Sequence, residues 1–330
     1  MMYLRYPASL FSLAVLSLGL TTVSCSSRGG NGSTADSAER TATVAAKSLH
    51  RLDFPQPPAI LTTDSARLDY VVSHYWDSFD RGDTTWIADT AALEQAFANW
   101  TGVLRYLSEP QAAETITAFF RSTEVCPAVR DRLLEVAERY FYDPNSPLRS
   151  EELYIPVLEY AIASPGIDEV YKIRPRTQFE MVMRNRPGNL AADFAYTTSD
   201  GRVRRLSSLH GDYTLLLFYN PGCPDCARVE EFIASSQALA PLIESGTLKM
   251  LAVYTEDDLD TWRKHIPYLP TNWTVAYDKG CRIAEQELYD LRAIPCLYLL
   301  DKQKRVLLKD APVEQIEAWI AASQKQEAQR

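Results

Sequence analysis

The 330-residue chain is short of cysteine, histidine and basic charge, and each shortage removes a class of function. Six Cys cannot staple a chain of this length, so the fold must rest on packing. The 34 Lys and Arg face 43 Asp and Glu, for a net charge of −9. That balance withholds the basic footprint that phosphate neutralisation requires and sets nucleic acid aside as a partner. Only four His are present, none beside a Cys motif, and a second CxxC is lacking. No four-ligand zinc set and no Cys-His protease signature can be assembled from these, and neither a metal nor another cofactor is expected. Long hydrophobic runs are lacking too: Ala8 to Leu20 is mostly apolar but too short to span a bilayer comfortably.

That run follows Arg5 and closes on Thr21-Thr22-Val23-Ser24-Cys25, the layout of a secretory signal peptide over residues 1–24. A small residue directly before a Cys resembles a bacterial lipoprotein lipobox, although Thr22 stands where such motifs usually carry Leu. The resemblance implies lipidation at Cys25, the first residue of the mature chain, and hence a lipid anchor to a membrane. Ser26 to Lys47 is small and polar with almost nothing to bury, so a flexible tether is expected over residues 25–55. The body is therefore expected in the periplasm or cell envelope, where a dithiol needs an electron source to stay reduced.

From Asp64 onward apolar residues recur at spacings of three and four. Leu68, Val71, Val72, Tyr75, Trp76 and Phe79 follow Thr63-Asp64 as a cap. A second stripe reads Leu93, Phe97, Trp100, Leu104 and Leu107. A third opens at Ser108, with Pro110 in its first turn, and carries Ile116, Phe119 and Phe120. Helices are also predicted near Val129 to Tyr142, Glu151 to Ile162 and Thr177 to Arg186, each stopped by a proline-containing turn. Residues 56–186 thus read as an all-α domain.

After Pro187-Gly188 the texture changes, and residues 187–330 read as a second domain. Ala192 to Tyr196 and Arg202 to Leu206 flank a Thr198-Ser199-Asp200-Gly201 turn, as in a hairpin. Tyr213 to Tyr219 is a continuous apolar run, as in a strand covered on both faces, and Leu248 to Tyr254 repeats the pattern. Further strands are predicted over Trp273 to Tyr277 and Cys296 to Leu300. Helices should follow Pro224 and cover Leu259 to His265, Arg282 to Tyr289 and Val313 to Ala322. Strands alternating with helices imply an α/β sandwich.

The chemistry sits in Cys223-Pro224-Asp225-Cys226, between a central strand and a helix start. Unpaired N–H groups and the positive end of the helix dipole stabilise a thiolate, so a lowered pKa is expected for Cys223. Cys226, one turn on, can reach it to close a disulfide. Asp225 places an opposing anion nearby. Glu230 is four residues beyond Cys226 and shares its helix face, where it could accept that thiol's proton; the alternative is an ordinary solvated carboxylate.

Phe218 to Cys226, after a buried strand, resembles the active site of thioredoxin-fold oxidoreductases. Ala293-Ile294-Pro295 before the strand Cys296 to Leu300 is similar to that fold's cis-proline loop, which implies a cis bond before Pro295 and a substrate-positioning role for Ile294 and Pro295. The export signal, the leading hairpin and the extra helix and strand between Lys249 and Asp278 resemble the membrane-anchored TlpA/ResA-like branch. The resemblance implies an α/β thioredoxin-like sandwich behind an all-α helical domain of no known activity. It also implies a Cys223/Cys226 redox-active disulfide, a disulfide-containing client protein and a membrane-bound electron donor. The chain departs from these families at Leu217, where thioredoxins bury an Asp, at Val229, where the branch carries a Glu, and at Gly222, usually aromatic.

Cys126 reads as a buried apolar thiol, and Cys296 as core, as a relay to Cys223 or as a partner for Cys281. Cys281, at a predicted helix start, reads as mildly activated. His210 and His265 read as surface residues. The function expected is an exported thiol–disulfide oxidoreductase that reduces protein disulfides. Two alternatives compete: a non-catalytic lipoprotein binding module with an inert bridge, and a thiol peroxidase, against which Asn220 stands where such enzymes carry Thr.

Overall fold

The computed structural model describes residues 50–328; the expected signal peptide, Cys25 and most of the expected tether lie outside the described residues. Packing begins before position 55, where the tether was expected to end. Leu52 is buried with the helical core, the His50 N–H donates to the Asp89 carboxylate at 3.0 Å, and the His50 ring lies 4.4 Å from that of Trp86. Apolar anchors so near the first helix find a groove before the chain can stay solvated.

The helical half comprises α1 (Asp64–His74), α2 (Thr85–Ala88), α3 (Thr90–Leu104), α4 (Glu109–Ser122), α5 (Pro127–Phe141), α6 (Glu151–Ala163) and α7 (Ile173–Val182). Local chemistry sets most of the starts. The Thr63 hydroxyl accepts the Ala66 N–H, Ser108 and Gln111 form a reciprocal cap on α4, and Pro127 opens α5 where no N–H is needed. The last helix starts and stops four residues before the predicted span. Asn185 takes a left-handed φ of 50°, and its side chain accepts the Ala192 N–H and donates to the Leu288 carbonyl. That tertiary demand ends the helix early, while Pro175 is tolerated in its first turn. The apolar stripes meet in an aromatic core around Trp76, Phe97, Trp100 and Phe119.

The sheet half holds β1 (Ala195–Thr198), β2 (Val203–Arg205), β3 (Tyr213–Tyr219), β4 (Leu248–Tyr254), β5 (Thr274–Tyr277), β6 (Cys296–Asp301) and β7 (Val306–Lys309). They form one mixed sheet in the order β2-β1-β5-β4-β3-β6-β7. β3 runs parallel to β4 and antiparallel to β6, so it sits centrally with both neighbours paired. Its alternate residues divide as a two-sided strand must: Leu215, Leu217 and Tyr219 face one core, Leu216 and Phe218 the other. The first core is covered by α8 (Pro224–Ser235), α9 (Ala240–Ser245), α10 (Leu259–His265) and α12 (Val313–Ala328). The other contains Ile283 of α11 (Arg282–Glu285), with Phe194 and Tyr289.

Short elements and one helix end in the sheet half also differ from the sequence reading, as does the unexpected α2. β7 and α9 were not expected, both being short, and the helix expected to run from Arg282 to Tyr289 stops at Glu285. Glu287 there adopts a φ of 49°, and Tyr289 turns inward to donate to the Ala192 carbonyl at 2.7 Å. Packing of that ring against Phe218 and Phe194 competes with helix continuation.

Candidate active site

The turn Asn220-Pro221-Gly222 delivers the chain from β3 to the start of α8. The Cys223 N–H donates to the Asn220 carbonyl at 3.3 Å, and Gly222 holds a φ of 80° that a side chain would strain. Cys223 is therefore the N-cap of α8, and its Sγ accepts the Cys226 N–H at 3.2 Å. Cys223 is half-buried, whereas Cys226 is 1% exposed beneath it, and both are free thiols. Burial pushes the Cys226 thiol up to about 12, with the neighbouring Cys223 sulfur and Glu230 adding to the effect.

Glu230 is 9% exposed, not a solvated surface carboxylate. Burial raises its pKa, and the adjacent imidazole of His265 opposes the rise. His265 Nε2 lies 3.2 and 3.4 Å from the two carboxylate oxygens. The expectation of a surface His265 is thus corrected: α10 lays its last residue against α8, half-buried. His210 is exposed. The Trp262 indole of α10 donates to the Tyr219 hydroxyl at the end of β3 at 3.0 Å.

Across from α8, the Ile294–Pro295 peptide bond is cis, and the Ile294 carbonyl oxygen is 3.9 Å from Cys223 Sγ. The structure therefore brings Cys223, Cys226, Glu230, Ile294 and Pro295 to one end of the sheet. Asp225 points away, largely exposed, with Arg228 as a distant partner at 3.9 Å. The Asn220 amide donates to the Glu256 carboxylate.

Comparison with known proteins agrees with this geometry. Residues 24–185 match the model of a domain of unknown function, DUF5106, and residues 187–309 match the AhpC/TSA family. The crystal structure of a thioredoxin-like protein from Bacteroides caccae is 39% identical, covering 83% of this chain and 99% of that one, with a TM-score of 0.80. The chain belongs to the thioredoxin-like proteins. The C-terminal domain of an uncharacterized protein from Bacteroides fragilis is 43% identical over 42% of this chain and 98% of that one, with a TM-score of 0.41. A conserved protein of unknown function from the same species is 40% identical over 41% and 98%, with a TM-score of 0.40. No curated protein matches.

In this thioredoxin-like chain the remaining cysteines stay apart from the pair. Cys296 is fully buried, and its thiol lies 3.5 Å from the Asp290 carbonyl oxygen; it is a free thiol, not paired with Cys281, and packs in the core on the face of the sheet opposite Cys223 and Cys226. Cys281 is not activated: burial first, then Asp257, Asp278 and Glu285, push its pKa up, and the helix it precedes is only four residues long. Cys126 is half-buried against the helical core. Among the described residues no group of three or more His, Cys, Asp or Glu could hold a metal, and no helix is long and apolar enough to cross a membrane. Sequence reasoning missed His265, because nothing local ties it to a residue 35 positions earlier.

Proposed function

We infer that the chain is an exported thiol–disulfide oxidoreductase that reduces protein disulfides with the Cys223/Cys226 pair. The observation that carries this reading is the asymmetry of the two thiols. Cys223 is reachable at a helix N-terminus beside a cis-proline loop, and Cys226 is buried beneath it with an elevated pKa. The Cys223 thiolate attacks a client disulfide, forming one S–S bond and releasing one client thiolate, which takes up a proton. Cys226 then gives its proton to Glu230 and attacks Cys223 Sγ. The mixed disulfide breaks, the second client thiolate leaves, and the protein retains the disulfide. A membrane-bound donor of two electrons returns the pair to thiols, and a lipid on Cys25 would keep the protein beside that donor in the cell envelope.

The AhpC/TSA match raises a peroxidase reading, but the position that would orient a peroxide holds Asn220, whose amide is engaged by Glu256. The deciding experiment follows insulin reduction by the full chain. Cys223→Ser should abolish it, and Cys226→Ser should accumulate covalent protein–client species whose identification names the client. Wild-type behaviour in both variants would leave the thioredoxin-like half an inert scaffold, and turnover of hydroperoxide without insulin reduction would select the peroxidase.

A further inference from the structure

The loop carrying Ile294 and Pro295 is gripped from the helical half. Asp290 is buried, and Arg292 Nε lies 2.8 and 3.0 Å from its two carboxylate oxygens, with Nη2 at 2.6 Å from Oδ2. The same guanidinium lies over the Tyr142 ring, with Cζ 3.4 Å from the centroid, and Nη1 donates to the Tyr142 carbonyl at 3.4 Å. Tyr142 caps the end of α5, and its ring stacks on Tyr154 of α6 at 5.0 Å. A planar cation clamped between a carboxylate and an aromatic face has little freedom left. Two residues further on, the Ile294 carbonyl meets Cys223 Sγ.

We propose that the helical half, through Tyr142 and Arg292, positions the Ile294–Pro295 edge for an extended polypeptide client and thereby sets the affinity of the redox pair for protein disulfides. This rests on the reductase reading above. Arg292 is a positioning residue, touching neither sulfur. A small disulfide needs only the half-buried Cys223, whereas a polypeptide must also lay its backbone along the adjoining loop, so the grip matters for the second and not the first.

The test compares Arg292→Ala, Tyr142→Ala and Tyr142→Phe in the full chain. The two alanine variants should each raise KM for insulin about tenfold with little change in kcat, while the reaction of Cys223 with the small disulfide dithiobis-nitrobenzoate keeps its rate. The double alanine variant should be no worse than either single, since both remove one bridge. Tyr142→Phe retains the ring and should behave as wild type. Hydrogen–deuterium exchange over residues 290–297 should quicken in both alanine variants and not in Tyr142→Phe. Unchanged exchange in the alanine variants, an unchanged insulin KM, or an equal loss toward the small disulfide would overturn the proposal. A wild-type chain that reduces neither disulfide would instead remove the reductase reading, and the exchange result would then decide by itself whether the helical half holds the loop.

Discussion

The two halves of the described chain bury different chemistry. In the helical half the interior is rich in aromatics: Trp76 stacks on Phe119 at 4.5 Å, and Trp100 meets Trp76 and Phe97 edge to face and Phe119 at a tilt, all within 6 Å. Its buried cations reach outward, Arg130 to the exposed Asp131 and Lys172 to the exposed Glu169. In the sheet half the interior is largely aliphatic, and ionisable groups are held inside it: Cys226, Glu230, Asp290 and Cys296. A group withdrawn from water titrates where its neighbours dictate. The buried ionisable groups of the helical half are mainly tyrosines, whereas the sheet half buries the thiols and the carboxylates beside them.

The largest separation of the two should come from Trp100→Ala. Trp100 is fully buried, and its truncation should cost about 3–5 kcal/mol of stability in urea denaturation. The alkylation rate of Cys223 in the folded chain should not change; a changed rate would mean that the aromatic core reaches the sulfur site and that the comparison fails.

Glu230→Gln tests the other side. Removing the carboxylate proposed to accept the Cys226 proton should slow resolution of the mixed disulfide by about 10²-fold without comparable loss of stability. The wild-type resolution rate should climb with pH as Glu230 ionises, over a window lying above 4.5 because burial raises its pKa, and the variant should lack that climb. The linked stability has the opposite sign. A carboxyl whose folded pKa is raised contributes stability fully present below 4.5 and lost as pH rises through the folded value. Denaturation of wild type and variant side by side should therefore show the Gln chain gaining relative stability with increasing pH. A constant difference would place Glu230 in water.

The smallest effect is expected where neither half buries anything. Arg263 and Asp260 pair at 2.9 Å on an exposed turn of α10, and Arg263→Ala should change stability by about 0.5 kcal/mol or less. A larger change would mean that α10 depends on this pair to hold His265 against Glu230, and so would sharpen where the sheet half stores its rigidity.

What the sequence determined by itself was everything carried by near neighbours along the chain. Helical apolar spacings, continuous apolar strand runs, the Ser108 cap, the apolar run into Cys223-Pro224-Asp225-Cys226 and the Ile294-Pro295 step each need only a few adjacent residues, because strand, helix start and turn are short-range choices of backbone conformation. Glu230 was marked by its spacing from Cys226, but spacing alone left both burial and exposure open and favoured exposure. Only the packing of α10 on α8 withdrew that carboxylate from water and gave it His265. The same holds for Asn185, whose left-handed turn ends α7 to serve Leu288, and for Tyr142 and Arg292, 150 positions apart. Desolvation and long-range contact are properties of the assembled chain, and no local pattern of residue types encodes which distant side chain will complete them.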